Sequence, residues 1–137
     1  MVDYEMAAVD IFTEGLLMAP VSAIPRLLAR HGLKFDDIAL WEIHEAFSAQ
    51  VLCHIKGLED REFVRAKAGV EHTFGSFPRD RVNPNGGSVP LGHPFGATGA
   101  RILSQAVKEL AALPKGSRAI VSICADGGLG TVALLEN

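Results

Sequence analysis

Residues 82–99, reading VNPNGGSVPLGHPFGATG, carry five glycines and three prolines around a single histidine, His93. Proline removes a backbone donor and fixes φ, and glycine allows left-handed conformations and close approaches, so this stretch interrupts both helix and strand while holding a set backbone geometry. The fold must therefore be built from the segments on either side, with this loop laid against something it touches. Its Gly-His-Pro run opens directly into an amphipathic helix, as functional loops of α/β folds do, which favours an active-site loop over an ordinary surface loop.

Those flanking segments alternate. Residues 5–12 are apolar and of strand length, followed by a Glu14-Gly15 turn. Over 22–31 the apolar positions Ala23, Ile24, Leu27 and Leu28 repeat at helical spacing, with Ser22 as N-cap, Pro25 in the first turn and Gly32 as the stop. Asp36 and Asp37 mark a turn, and 38–43, with Trp41, is a short buried strand. From Glu45 the positions Phe47, Val51, Leu52 and Ile55 share a helical face ending at Gly57, and Cys53 in this run is expected to be a buried small hydrophobe. The charged stretch 58–81, with a short helix at Arg61–Ala68, reads as a surface excursion. After the loop, 100–113 is a helix with Ile102, Leu103, Ala106, Val107 and Leu110 inward, stopped by Pro114 and Gly116. Strands at 118–123 and 130–135 form a hairpin about Asp126-Gly127-Gly128. The pattern predicts one α/β domain over residues 1–137, a layered mixed β-sheet with helices in the order βαβαβαββ.

At 137 residues with 48% hydrophobic and 21% charged composition, the chain can bury a core. A formal charge of −3 gives nucleic acid no electrostatic footing. The apolar runs are far too short for a membrane span. Two cysteines, Cys53 and Cys124, make no disulfide framework, and no secretion signal is visible, so a reducing, cytoplasmic location is the expectation.

Three places can carry chemistry. His44-Glu45 lies where a strand ends and a helix begins, the position at which catalytic groups collect in α/β sheets, although Glu45 could equally complement the helix dipole. His93 has an imidazole suited to exchanging protons near neutral pH, against the alternative of a structural histidine. Cys124 ends a strand before a tight glycine turn, where a thiol could be exposed near backbone N–H donors and favour the thiolate, against the alternative of a core cysteine. The spacings among these residues match no zinc pattern, so no metal is expected. The loop also lacks the Lys-Ser/Thr ending of a phosphate-binding P-loop.

In order, His44-Glu45-Ala46-Phe47, Asn83-Pro84-Asn85-Gly86-Gly87, Gly92-His93-Pro94, Gly96-Ala97-Thr98-Gly99-Ala100-Arg101 and Cys124 with Gly127-Gly128-Leu129-Gly130 resemble the C-terminal half of a thiolase over nearly the whole chain. With His rather than Asn at position 44, the resemblance is to the thiolases of fatty-acid β-oxidation complexes. It implies a thiolase-like fold and an acyltransferase activity: cleavage of 3-ketoacyl-CoA by CoA, or the reverse Claisen condensation, with a coenzyme A thioester as substrate and no cofactor. It implies that His93 activates a nucleophilic cysteine, that Cys124 moves the proton on the α-carbon, and that His44 helps aim a donor at the enolate oxygen. Glu45, Asp126, Gly127 and Gly128 fall in the oxyanion and active-site loops, and Phe47, Gly92 and Pro94 at the substrate. Asp126 departs from the glycine or alanine of many thiolases and would repel an oxyanion unless turned away. The resemblance further implies a homo-oligomer and an N-terminal half, in cis or in trans, that bears the acylated cysteine, a role Cys53 does not fit. A non-catalytic thiolase-like interaction module and a β-ketoacyl synthase fragment are the alternative readings.

Overall fold

A computed structural model describes residues 1–137. Its strands are β1 (Asp3–Ala8), β2 (Leu40–Ile43), β3 (Arg118–Ala125) and β4 (Leu129–Glu136). Its helices are α1 (Ala19–Arg30), α2 (Ser48–Glu59), α3 (Arg61–Ala68), the single-turn α4 (Ser88–Leu91) and α5 (Thr98–Ala111). The sheet runs β1-β4-β3-β2; β3 and β4 form an antiparallel hairpin, β1 adds antiparallel to β4, and β2 adds parallel to β3.

Side chains alternate across a sheet, so each strand feeds two layers. Trp41, Ile43, Ile120, Val132 and Leu134 face the larger core under α1, α2 and α3, whereas Leu40, Ala119, Val121 and Leu135 face Ile102, Ala106 and Leu110 of α5. With both faces covered, β2 is buried along its whole length, as parallel strands are. One consequence is chemical: Glu42 shares the α5 face with Leu40 and is fully buried with neither carboxylate oxygen partnered.

The α/β layering follows the sequence expectation, and several boundaries do not. The first strand sits at Asp3–Ala8 rather than 5–12, because Asp10 accepts the Phe12 N–H with its side chain and the Glu14 N–H with its carbonyl, closing a turn where the apolar run continues. Helix α1 starts at Ala19, so Pro20 holds the first turn, Ser22 is buried within the helix instead of capping it, and Pro25 lies inside. Gly32, at φ 64°, is the stop that was expected. The second helix starts at Ser48, not Glu45, and buries Gln50, His54, Ile55, Gly57 and Leu58; Leu52 and Cys53 point outward, correcting the assignment of Cys53 to the core. On α5, Leu103 and Val107 are likewise exposed.

The charged stretch 58–81 is not a surface excursion. Leu58, Val64, Ala68, Phe74 and Phe77 close one side of the main core. Phe74 stacks on Phe35 at 5.1 Å and Phe77 lies 4.6 Å from Trp41 between ring centroids. Four strands form, one fewer than the expected order contains: what precedes α5 is a single parallel bridge, Trp41 to Val82, since the prolines and glycines that follow cannot continue a ladder.

Candidate active site

Two segments distant in sequence meet at the end of β2. Beyond Val82, the Asn83 N–H donates to the Trp41 carbonyl (2.9 Å), and the Asn83 side chain then acts as a surrogate strand, accepting from the Ile43 N–H (2.8 Å) and donating to the Ile43 carbonyl (2.9 Å). Its amide also donates to Glu45 Oε1 (2.6 Å), while Glu45 Oε2 accepts from the Val89 N–H (2.9 Å). Both oxygens of Glu45 are thus committed to holding the glycine-rich loop. A Cβ on Gly87 would collide with that carboxylate, so glycine is required there for the close approach.

This clamp sets two histidines side by side. His44 follows β2 directly, is buried, and pairs through Nδ1 with Ser88 Oγ at 3.0 Å, Ser88 being the first residue of α4. His93 follows α4 and is exposed, its Nδ1 2.7 Å from Thr98 Oγ1 at the start of α5. The two rings lie 4.3 Å apart between centroids, with Phe95 4.5 Å beyond His93. Burial holds the His44 imidazolium below the usual histidine range, and the facing His93 and Arg101 depress it further, so His44 is neutral at physiological pH.

His44, Phe47, His93, Cys124 and Asp126 all line one cleft of about 690 Å³, together with Leu16, Leu17, Ala46, Phe95, Thr98 and Ile123. Its wall is mostly apolar with a few convergent polar groups, the character of a ligand site. Glu45, Gly92, Pro94, Gly127 and Gly128 do not line it; they shape its surroundings, Gly127 and Gly128 at φ 85° and 77° making the β3–β4 turn.

Cys124 departs from the exposed, thiolate-favouring setting expected of it. It is buried at the end of β3, and that burial pushes the thiol up to about 11, so at neutral pH it carries its proton. A protonated thiol in an apolar cleft is a poor resting nucleophile and a suitable proton donor to a carbanion. The carboxylate of Asp126 turns back onto its own turn, accepting from the Gly127 N–H at 2.8 Å. No three His, Cys, Asp or Glu side chains converge as a metal site, and no helix is long and apolar enough to cross a membrane.

Sequence reasoning missed Ser88, Thr98 and the wall formed by Leu16 and Leu17. That wall is fixed from behind by buried His54, whose Nε2 donates to the Leu17 carbonyl at 2.7 Å across 37 residues of sequence. Only Thr98 had a local signal, one helical turn past the Gly-His-Pro turn.

The family model described as "Thiolase, C-terminal domain" matches residues 1–137. A 3-ketoacyl-CoA thiolase of Shewanella amazonensis is 40% identical over 133 residues, covering 97% of this chain and 30% of its own length. The crystal structure of a thiolase from Ascaris suum in complex with coenzyme A superposes with a TM-score of 0.76 at 34% identity, over 99% of this chain and 30% of that one. The peroxisomal 3-ketoacyl-CoA thiolase of Saccharomyces cerevisiae, a five-layered structure built from two core domains of identical topology, gives a TM-score of 0.71 at 34% identity, over 97% and 32%. The chain therefore spans about 30% of the length of the relatives it matches.

Proposed function

The chain belongs to the thiolase family as a thiolase C-terminal domain, and from that premise we propose that it supplies the acid–base half of a site for acyl transfer to coenzyme A. The observation that carries this reading is the convergence of a neutral buried His44, an exposed His93 and a protonated Cys124 on one apolar cleft.

In the thiolytic direction, His93 accepts the proton of a nucleophilic cysteine as its sulfur bonds to the 3-keto carbon. The bond between C2 and C3 then breaks, and its electron pair leaves on C2 as the acetyl-CoA enolate. Cys124 delivers its proton to C2, and a thiol of pKa about 11 suits a carbon acid far better than a carboxyl group would. Cys124, now a thiolate, takes the proton of the CoA thiol as its sulfur bonds to the acyl carbon; the carbon–sulfur bond to the enzyme cysteine breaks and that sulfur leaves with the proton held by His93, which restores the site with no cofactor. His44, held neutral and oriented by Ser88, positions a donor toward the enolate oxygen. Asp126 lines the same cleft with its carboxylate folded onto the Gly127 N–H.

The acylated cysteine is assigned to a thiolase N-terminal half, in cis or in trans. Cys53 does not serve, because it is exposed on α2 and does not line the cleft. The outer face of α5, with exposed Leu103 and Val107, suits packing against such a half or a second copy. A fatty-acid β-oxidation role and the reducing cytoplasm belong to this same proposal, supported by the names of the relatives and by two unpaired cysteines. The thiolase relatives lend no support to the interaction-module and β-ketoacyl synthase alternatives.

Thiolysis of acetoacetyl-CoA and of a longer 3-ketoacyl-CoA by the purified chain tests the division of labour. No turnover by the chain alone is expected; enzymatic turnover that needs His93 and Cys124 would overturn the assignment of the nucleophile to another half.

A further inference from the structure

The contacts of Thr98 carry an assignment that sequence does not: which nitrogen of His93 is free to act. The Thr98 side chain is buried at the first turn of α5 and its hydroxyl touches two groups, His93 Nδ1 at 2.7 Å and the Pro94 carbonyl four residues back at 3.1 Å, a carbonyl that also accepts the Ala97 and Thr98 N–H groups at 3.1 and 3.2 Å. A hydroxyl has one hydrogen and two lone pairs. When that hydrogen goes to Pro94, which can only accept, the oxygen can meet His93 only as an acceptor, and Nδ1 must then carry the proton. The second ring nitrogen, Nε2, has no hydrogen-bond partner in the protein, while the ring lines the cleft.

We propose that Thr98 is a positioning residue that holds His93 in the Nδ1–H tautomer and so leaves the Nε2 lone pair as the base. Free histidine side chains prefer the opposite tautomer, with the proton on Nε2, so this preference has to be imposed by a partner on the other nitrogen. The assignment deepens the acid–base reading of His93 and rests on it for its catalytic consequence. The tautomer itself can be read with no substrate present.

The test is ¹⁵N–¹H NMR of the histidine rings of the full chain at pH 8, with His93 identified by its absence in His93→Gln. Wild type is expected to show Nδ1 at a pyrrole-type shift and Nε2 at a pyridine-type shift. Thr98→Val keeps the shape and removes the acceptor, and should lower the Nδ1–H to Nε2–H ratio about tenfold, ~1.4 kcal/mol or one hydrogen bond. Thr98→Ser should retain the wild-type pattern. An Nε2–H tautomer in wild type would overturn the proposal, since Thr98 would then be donating to Nδ1; so would an unchanged ratio in a folded Thr98→Val. Should the valine variant not fold, the wild-type and serine spectra decide alone. An Nδ1–H tautomer that Thr98 controls, in a chain that fails to support thiolysis with a nucleophile-bearing half, would refute the functional reading and leave this one standing.

Discussion

Replacing Asn83 by alanine should cost the fold about 3 kcal/mol, out of all proportion to three lost side-chain atoms. Asn83 is buried, and its amide satisfies both backbone groups of Ile43, which lies at the end of a strand with no further neighbour on that side. Each buried backbone group left without a partner costs roughly 1–3 kcal/mol. Asn83 is also the one non-glycine residue at positive φ, 45°, a region asparagine tolerates better than alanine, which adds up to ~1 kcal/mol. These contributions overlap, since a loosened loop admits water, so the sum is taken near its lower end. Trp41, the only tryptophan, is fully buried and bonded through its carbonyl to the Asn83 N–H, making its fluorescence a direct reporter. With an m value of ~2 kcal/mol per M in urea, the midpoint should fall by about 1.5 M. Asn85→Ala, which removes only an exposed bond to Glu109, is the control and should shift it by less than about 0.5 M. A loss of under ~1 kcal/mol in Asn83→Ala would refute the view that one side chain stands in for a strand.

Four further outcomes follow from burial and backbone geometry. Gly128→Ala places a methyl against the Val9 carbonyl oxygen at φ 77°, whereas Gly116→Ala at φ 84° meets nothing, so the first should lower thermal stability by ~2 kcal/mol more than the second. Iodoacetamide at neutral pH should modify exposed Cys53 long before Cys124, as read by peptide mass spectrometry; equal rates would contradict the buried thiol. Because the Cys124 thiol is raised from 9.0 to about 11 on folding, its contribution to stability is intact below about pH 9 and is lost as pH rises to 11. Burial first, and then the neighbouring Glu109, push Glu42 up to about 8 from 4.5, so the stability tied to its protonated form is present below pH 4.5 and lost as pH climbs to 8. Glu42→Gln should therefore stabilise the protein by roughly 2 kcal/mol at pH 8 and hardly at all at pH 4 in urea titrations; equal effects at both pH values would contradict a buried carboxyl.

What was legible in the sequence was local. The β3–β4 hairpin, the α5 helix and the loop between Asn83 and Gly99 are written in contiguous residues, and so is the order of the motif residues that converge on the cleft. What was not legible depends on partners far away in the chain. The apolar spacing of α2 marks a helix, yet which face turns inward is decided by α1 and α3, and this leaves Leu52 and Cys53 in solvent. The charged stretch 58–81 hid Phe74 and Phe77, whose burial depends on Phe35 and Trp41. Cys124 beside a glycine turn suggested exposure, but it is the turn residues Asp126 and Gly127 that are exposed, while Cys124 is buried where it lines the cleft. The clamp of Asn83 on Ile43 spans 40 residues and leaves no periodic trace.

In the proposed site His93 and Cys124 perform the proton transfers of acyl transfer to CoA, and the nucleophile comes from another half. Thiolysis of acetoacetyl-CoA by this chain co-purified with the cysteine-bearing half of a 3-ketoacyl-CoA thiolase tests it most directly. Turnover is expected in the complex, and should fall by at least about a hundredfold in both His93→Ala and Cys124→Ala. Turnover undiminished in either variant of the same complex would contradict it.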